Sequence, residues 1–295
     1  MSRIKGLATV FRDRLEGWRK LPLSLERAAA DLGDLRELAL LEQICKSYRH
    51  SSNPVARCGA KCFSQSDEDG ITLEIIRRLE IGSAGTFVEF GVGNGLENNT
   101  LVLRSLGWNG CWIGGEDLAF TLPPQCRGFT FVREWITSEN VVRLFRAAQD
   151  SLGANNVDLL SVDLDGNDYH LVKELLECGL RPRVMILEYN AKFPPPVEWV
   201  MPYNSAHVWE GDDFFGASLA SWVKLLQAQG YRLICCNIAT GANCFFVHND
   251  DAGAFGDVPD DPRSNYVPPR YRLLSKFGHK ATPRLVRHLL QGGVA

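Results

Sequence analysis

The chain reads as an α/β protein built on a mostly parallel, seven-stranded sheet that ends in an antiparallel hairpin, with extra helices at its N-terminus. Three observations predict this. From about residue 60 onward, short apolar runs alternate with amphipathic stretches, the pattern of repeated strand–helix units covered on both faces. The first of those runs passes directly into a glycine-rich turn, Phe90-Gly-Val-Gly-Asn-Gly95. The last two, Tyr231-Arg-Leu-Ile-Cys-Cys236 and Asn243-Cys-Phe-Phe-Val-His248, are joined too tightly to be parallel, because a parallel pair needs a long crossover.

Residues 1 to about 50 are expected to be helical with a break at Pro22. Ser24 is placed to cap the second helix, along which Leu25, Ala28, Leu32, Leu35, Leu38, Leu41 and Ile44 recur every three or four residues. Such a hairpin suits either pairing into a homo-oligomer or covering the α/β domain. The turn signal His50-Ser-Ser-Asn-Pro54 marks the boundary, giving a helical appendage over 1–55 and an α/β domain over 56–295. Within that domain a helix is expected over 67–80, then a strand ending at Phe90, a helix over 96–106 and a strand over 111–115. Strand 129–133 precedes a helix capped by Thr137 or Ser138. Strand 157–162, helix 167–178 and strand 183–188 lead on toward the hairpin.

Composition sets limits. With 23% charged and 45% hydrophobic residues over 295 positions, the chain has an ordinary globular balance that excludes disorder. A net charge of -3 gives no general case for a nucleic-acid partner. From Pro262 onward there are seven Lys/Arg and no Asp or Glu, read first as a solvated basic end. Nine cysteines, an odd number at irregular spacing, do not form a disulfide framework and fit reduced thiols in the cytoplasm. The apolar run Leu7 to Phe11 is too short for a signal peptide or a transmembrane helix.

Two constellations carry chemistry. In the first, Glu89, Gly91, Gly93 and Gly95 spell an acid followed by G-x-G-x-G at the end of a strand. Glycines let the backbone turn tightly and approach a ligand, and a helix N-terminus just beyond offers N–H groups to it. Roughly twenty residues on come Glu116 and Asp117, where a carboxylate would accept from a ribose. A dinucleotide-binding motif would want glycine at position 96, where Leu96 stands. The plain alternative is a turn that only closes strand–helix packing.

In the second, Asp163 ends a strand, with Asp165 and Asp168 in the turn after it, and the next strand ends Leu187-Glu-Tyr-Asn190. If those strands are neighbours, Asp163 or Asp165 converges with Glu188 and Asn190. Carboxylates with an amide oxygen suit Mg²⁺ or Mn²⁺, which would lower the pKa of a bound hydroxyl. Without metal, one carboxylate would serve as general base. Asp-x-Asp-Gly also resembles the nucleophile loop of haloacid-dehalogenase-like phosphatases, which want Thr where Asn167 stands. A calcium loop counted from Asp163 through Asp165, Asn167 and Glu174 would need glycine where Asp168 stands. Asn167 and Asp168 can instead cap the following helix.

The glycine turn resembles motif I of class I S-adenosylmethionine-dependent methyltransferases, in which the first acid lies near the methionine end of the cofactor. The ordered set Ser64-Gln-Ser-Asp-Glu-Asp-Gly70, Phe87-Val-Glu-Phe-Gly91, Asp158 through Asp168, Leu187-Glu-Tyr-Asn190 and Phe215-Gly-Ala-Ser-Leu219 resembles FkbM-type methyltransferases, over roughly residues 62–280. That resemblance implies a Rossmann-like class I methyltransferase fold and O-methylation of a sugar, glycan or polyketide-like natural product. It implies that Gln65, Glu89, Gly91, Gly93, Asn94, Gly95, Asn99 and Glu116 bind S-adenosylmethionine. Asp163, Asp165 and Glu188 would be catalytic, and with Asn190 would hold the metal. Gly114-Gly115 depart from the pattern by standing where the ribose acid is expected, so Glu116 would act from slightly later.

Ala191 to Phe215 is long for a connection and carries Trp199, Tyr203, His207, Trp209 and Asp212-Asp213. Its rings suit stacking on a flat hydroxylated substrate or, more plainly, packing on the domain. His207 is a candidate base or a surface residue. Two rival functions stay open: a metal-dependent phosphatase using Asp163 and Asp165, and a degenerate Rossmann-like scaffold that binds a partner through the N-terminal helices.

Overall fold

The computed structural model describes residues 25, 27–36, 38–123, 126–270 and 283–291. The chain forms two compact units, residues 1–47 and 48–295. Every described residue from 25 to 50 is helical (α1), with a Glu42–Lys46 ion pair one turn apart. The expected break at Pro22, the Ser24 cap and the first arm of the hairpin lie outside the described residues.

The second unit carries the sheet: β1 Thr86–Phe90, β2 Asn109–Gly114, β3 Phe129–Arg133, β4 Leu159–Val162, β5 Val184–Glu188, β6 Tyr231–Cys236 and β7 Asn243–His248. Its helices are α2 Glu68–Arg78, α3 Leu101–Ser105, α4 Val141–Leu152, α5 Asp168–Glu177, α6 Leu219–Ala228, α7 Pro262–Asn265 and α8 Pro283–Leu290. Strand order is β3-β2-β1-β4-β5-β7-β6. β1 to β5 pair in parallel, and β7 runs antiparallel to both β5 and β6. This order, with β7 inserted between β5 and β6, is the Rossmann-like class I methyltransferase fold.

The central strands are buried on both faces, which is why they read as continuous apolar runs. Phe90, Leu160, Leu187 and Phe246 face a core completed by Phe145, Leu171 and Trp222 of the helices. Phe87, Leu159, Ile186 and Phe245 face the opposite core with Ile71, Ile75, Leu101 and Phe255. Strand order reverses between β1 and β4, so a crevice opens above their carboxyl ends.

Three local features differ from expectation. The helix expected over 96–106 is only α3, because residues 93–100 form turns around the Glu89 carboxylate. Neither Thr137 nor Ser138 caps α4; Asn140 precedes it, and its Oδ1 accepts from Thr137 N–H at 2.8 Å. α6 is an additional helix, and Ser218 Oγ caps it by accepting from Ser221 N–H at 3.2 Å. Near the C-terminus, Val286 and Leu290 of α8 are buried, and the Leu290 carbonyl accepts from Arg104 and Cys126. All nine cysteines are free. Among the described residues, no helix is long and apolar enough to cross a membrane.

Candidate functional site

A cavity of about 1050 Å³ opens at the carboxyl edge of β1, β4 and β5. The glycine turn forms one wall, and its three glycines divide the work. A Cβ on Gly91 would lie 1.5 Å from the Asp163 carbonyl oxygen, so this position lets the chain leaving β1 pass close against the chain leaving β4. Gly93, at φ +47°, would direct a Cβ into open space on the cavity wall. Gly95 is not on the wall; it packs against Leu118, Phe120 and Trp112. Gly95 therefore serves packing, and it does not line the cavity.

Glu89 is 3% exposed, and both its oxygens are engaged. Oε1 accepts from Asn99 N–H at 3.0 Å, while Oε2 accepts from Thr100 N–H at 3.3 Å and from Thr100 Oγ1. The N–H groups expected to meet an anionic ligand at the start of the helix are thus spent on Glu89. Burial pushes the Glu89 carboxyl up to about 7, and the hydrogen bonds from Thr100 and Asn99 limit the rise. Gln65, Asn94, Asn99 and Glu116 all line the cavity, as does Asn98. Glu116 stands two residues beyond β2, and its neighbour Asp117 turns away to pair with Arg133 at 2.8 Å.

The second constellation converges as its spacing suggests. β4 and β5 are adjacent, and one carboxylate oxygen each from Asp163, Asp165 and Glu188 lie within 4.8 Å of one another. Burial, then the neighbouring carboxylates, pushes Asp163 and Glu188 well above the usual range. The same causes raise Asp165 to about 6. Asp165 is exposed because its carboxylate faces the open cavity; the protein packed behind it produces the shift.

Asp168 is fully buried and accepts from Leu164 N–H at 2.7 Å and Gly166 N–H at 3.0 Å. It braces the loop, and neither it nor Asn167 caps α5 through its side chain. Asn167 instead exchanges two hydrogen bonds with the backbone of Asn204, a use that leaves no calcium loop. Asn190 also lines the cavity, with its side chain engaged by the protein. Its Nδ2 donates to the Asp213 and Phe215 carbonyls and its Oδ1 accepts from Lys192 N–H, so it anchors the base of the 191–215 segment.

Most rings of that segment pack on protein. Trp199 stacks on Phe193 with centroids 4.6 Å apart, and Tyr203 Oη accepts from Ser138 N–H. Trp209 alone of the expected aromatic set reaches the cavity wall. His207 lies over the acidic loop, its Nε2 3.1 Å from the Asp165 carbonyl oxygen.

A polar network, of which Ser66, Asp67 and Glu68 fall in a segment the sequence singles out and the remaining residues do not, backs the cavity. Asn237 Nδ2 contacts Ser66, Asp67, Glu68 and Thr240, tying the segment before α2 to the β6–β7 turn. Asn243, at the first position of β7, joins this network and also lines the cavity. The one signal for Asn243 is an amide opening an otherwise apolar strand; because β7 runs antiparallel, its first residue falls at the carboxyl edge of β5.

No protein-family model and no curated protein matches the chain. Among solved structures it is similar to a precorrin-6y C5,15-methyltransferase from Geobacter metallireducens GS-15, at 11% identity over 64% of this chain and 91% of that one, TM-score 0.34. It is also similar to YjhP from E. coli, at 16% identity over 61% of this chain and 72% of that one, TM-score 0.32. The fold assignment rests on strand order and not on these likenesses.

Proposed function

We propose that the chain is an S-adenosylmethionine-dependent O-methyltransferase of the FkbM type, acting on a hydroxyl of a sugar, glycan or related natural product. The observation that carries this reading is the acidic lining of the cavity beside an open glycine turn. Burial and mutual repulsion hold Asp163, Asp165 and Glu188 toward their neutral forms, and a positive ligand would favour the ionised ones. Among the described lining residues eight are Asp or Glu and one is Lys, and that Lys192 pairs with Asp213. A cation about 5 Å from a carboxylate gains about 3 kcal/mol at an effective dielectric near 20, and an anion loses as much. The wall therefore favours a ligand with a positive centre and many donors over a pyrophosphate cofactor. Unpartnered acceptors agree with this: Asn98 Oδ1, Glu188 Oε2 and Asn243 Oδ1 are buried on the cavity wall without a hydrogen bond.

When bound, S-adenosylmethionine would supply a methyl group on a cationic sulfonium. Gly93 would leave room for its close approach, and Glu116, which lines the cavity, would accept from ribose hydroxyls. Asp163, Asp165 and Glu188 would hold the acceptor hydroxyl and take its proton, with pKa values raised toward the working range of a general base. Much of the rate would come from positioning. The same three carboxylates fit a hard divalent cation, which would lower the hydroxyl pKa.

The phosphatase alternative is less well supported, because Asn167 stands where the nucleophile loop wants Thr and its side chain is spent on the backbone of Asn204. Calorimetric titration with S-adenosylmethionine and S-adenosylhomocysteine, with and without Mg²⁺, tests the proposal. Micromolar binding is the expected result; folded protein that binds neither ligand under either condition refutes it.

A further inference from the structure

Building on the metal-assisted form of the reading above, we propose that Asn243, and not Asn190, completes a divalent-cation site with Asp163, Asp165 and Glu188. β7 enters the sheet at Asn243, directly opposite Glu188. Tyr189 N–H donates to the Ala242 carbonyl at 2.9 Å. Glu188 and Asn243 are thus a non-hydrogen-bonded antiparallel pair, the kind whose Cα atoms lie about 4.5 Å apart and whose side chains approach most closely.

The orientation of the Asn243 amide is fixed from behind. Its Nδ2 donates to Glu68 Oε1 at 3.2 Å. Glu68 is itself held: Oε2 accepts from Ser66 N–H, and Oε1 accepts from Ser66 Oγ and Asn237 Nδ2. Turning the amide over would set two acceptor oxygens face to face, so Oδ1 must point away from Glu68. Asn243 is 3% exposed, and its Oδ1 is buried with no hydrogen-bond partner. Glu188 Oε2, on the residue opposite, is buried and unpartnered in the same way.

Two orphan acceptors on paired cross-strand residues, one of them on the carboxylate that clusters with Asp163 and Asp165, suit a positive centre. Lys192 does not supply it, since it pairs with Asp213. Carboxylates plus an amide oxygen are the donor set of a hard divalent cation. Asn190, the amide singled out by sequence, has both ends of its side chain engaged in holding the 191–215 segment.

The test is titration of the full chain with Mn²⁺, following free Mn²⁺ by electron paramagnetic resonance in the absence of cofactor. One site is expected. Asn243→Leu, similar in shape but without the oxygen, should weaken it at least about ten-fold. A second measurement needs no variant: titrating Mg²⁺ onto the unaltered, ¹⁵N-labelled protein should shift the Asn243 side-chain amide resonance and leave that of Asn190 in place. A chain that takes up no Mn²⁺, an Asn243→Leu variant of unchanged affinity, or an Asn243 amide resonance insensitive to Mg²⁺ overturns the assignment. Calorimetry of S-adenosylmethionine, with and without Mn²⁺, separates the two readings. Cofactor binding without Mn²⁺ uptake refutes the cation site alone; Mn²⁺ uptake through Asn243 without cofactor binding refutes methyl transfer alone.

Discussion

Gly91 and Gly93 should fail in different ways when each is changed to alanine, and the difference tests whether the turn cradles a ligand. Gly93 sits at φ +47°, and nothing lies within 4 Å of the position a Cβ methyl would take. Alanine there clashes with no protein atom and bears only the left-handed backbone cost, about 1–2 kcal/mol. In a domain of this size that lowers the melting temperature by roughly 2–8 °C. The added methyl projects into the cavity, where overfilling a fitted contact costs about 1–3 kcal/mol, or roughly 5- to 150-fold in affinity. At Gly91 the methyl would lie 1.5 Å from the Asp163 carbonyl oxygen, and two strand ends would have to part. Gly91→Ala should therefore lose more than about 4 kcal/mol of stability or fail to fold. Differential scanning fluorimetry gives the stabilities, and calorimetry with S-adenosylmethionine gives the affinities. Wild-type cofactor affinity in Gly93→Ala would refute the cradle, and a wild-type melting temperature in Gly91→Ala would refute the close contact between the ends of β1 and β4.

Glu89 predicts a pH dependence of stability. Folding raises its pKa from 4.5 to about 7, so its contribution is full below pH 4.5 and fades as pH rises through 7. Urea unfolding at pH 5 and pH 8 should show the wild type losing up to roughly 3 kcal/mol across this window from Glu89; Glu89→Gln should show a flatter profile, and an unchanged slope would count against the assignment. Removing residues 283–295 takes away buried Val286 and Leu290 and the carbonyl that accepts from Arg104. The melting temperature should fall by roughly 5–10 °C; an unchanged value would show that α8 contributes no net stability.

The sheet is legible in the sequence because its strands are buried on both faces and so stand out as uninterrupted apolar runs. Phe129–Arg133, Tyr231–Cys236 and Asn243–His248 lie where that pattern places them. Leu96–Thr100 mimic a helix because Leu96 and Leu103, seven residues apart, suit one helical face, whereas the Glu89 carboxylate draws the Asn99 and Thr100 amides into a turn. Asp163, Asp165 and Glu188 are legible together because consecutive parallel strands place their ends side by side. Asn190 and Asn243 are not separable by sequence. Which amide is free depends on hydrogen bonds to Phe215 and Glu68, residues 25 and 175 positions away.

The acidic loop shows how the chain maintains a charge cluster that opposes its own stability. Asp165 lies at φ +53°, in the left-handed region, where Asp and Asn are tolerated better than most residues. Asp168 holds it there from beneath by accepting the amides on either side, Leu164 and Gly166. Burial and the charges of Asp168 and Glu116 raise Asp165 to about 6, so the folded chain resists ionising it. That resistance adds stability below the ordinary value of 3.8 and is lost as pH rises through about 6. Asp165→Asn keeps the backbone preference and removes the charge. It should therefore stabilise the cation-free protein above pH 6. Because the carboxylate faces solvent in the cavity, screening limits the gain to about 1 kcal/mol. The same substitution removes a proposed cation ligand, so Mn²⁺ should protect the variant from thermal unfolding less than it protects the wild type. Melting curves at pH 5 and pH 8, each with and without Mn²⁺, resolve the two effects. If Asp165→Asn is less stable than wild type at pH 8 without metal, the carboxylate serves the fold and not the site.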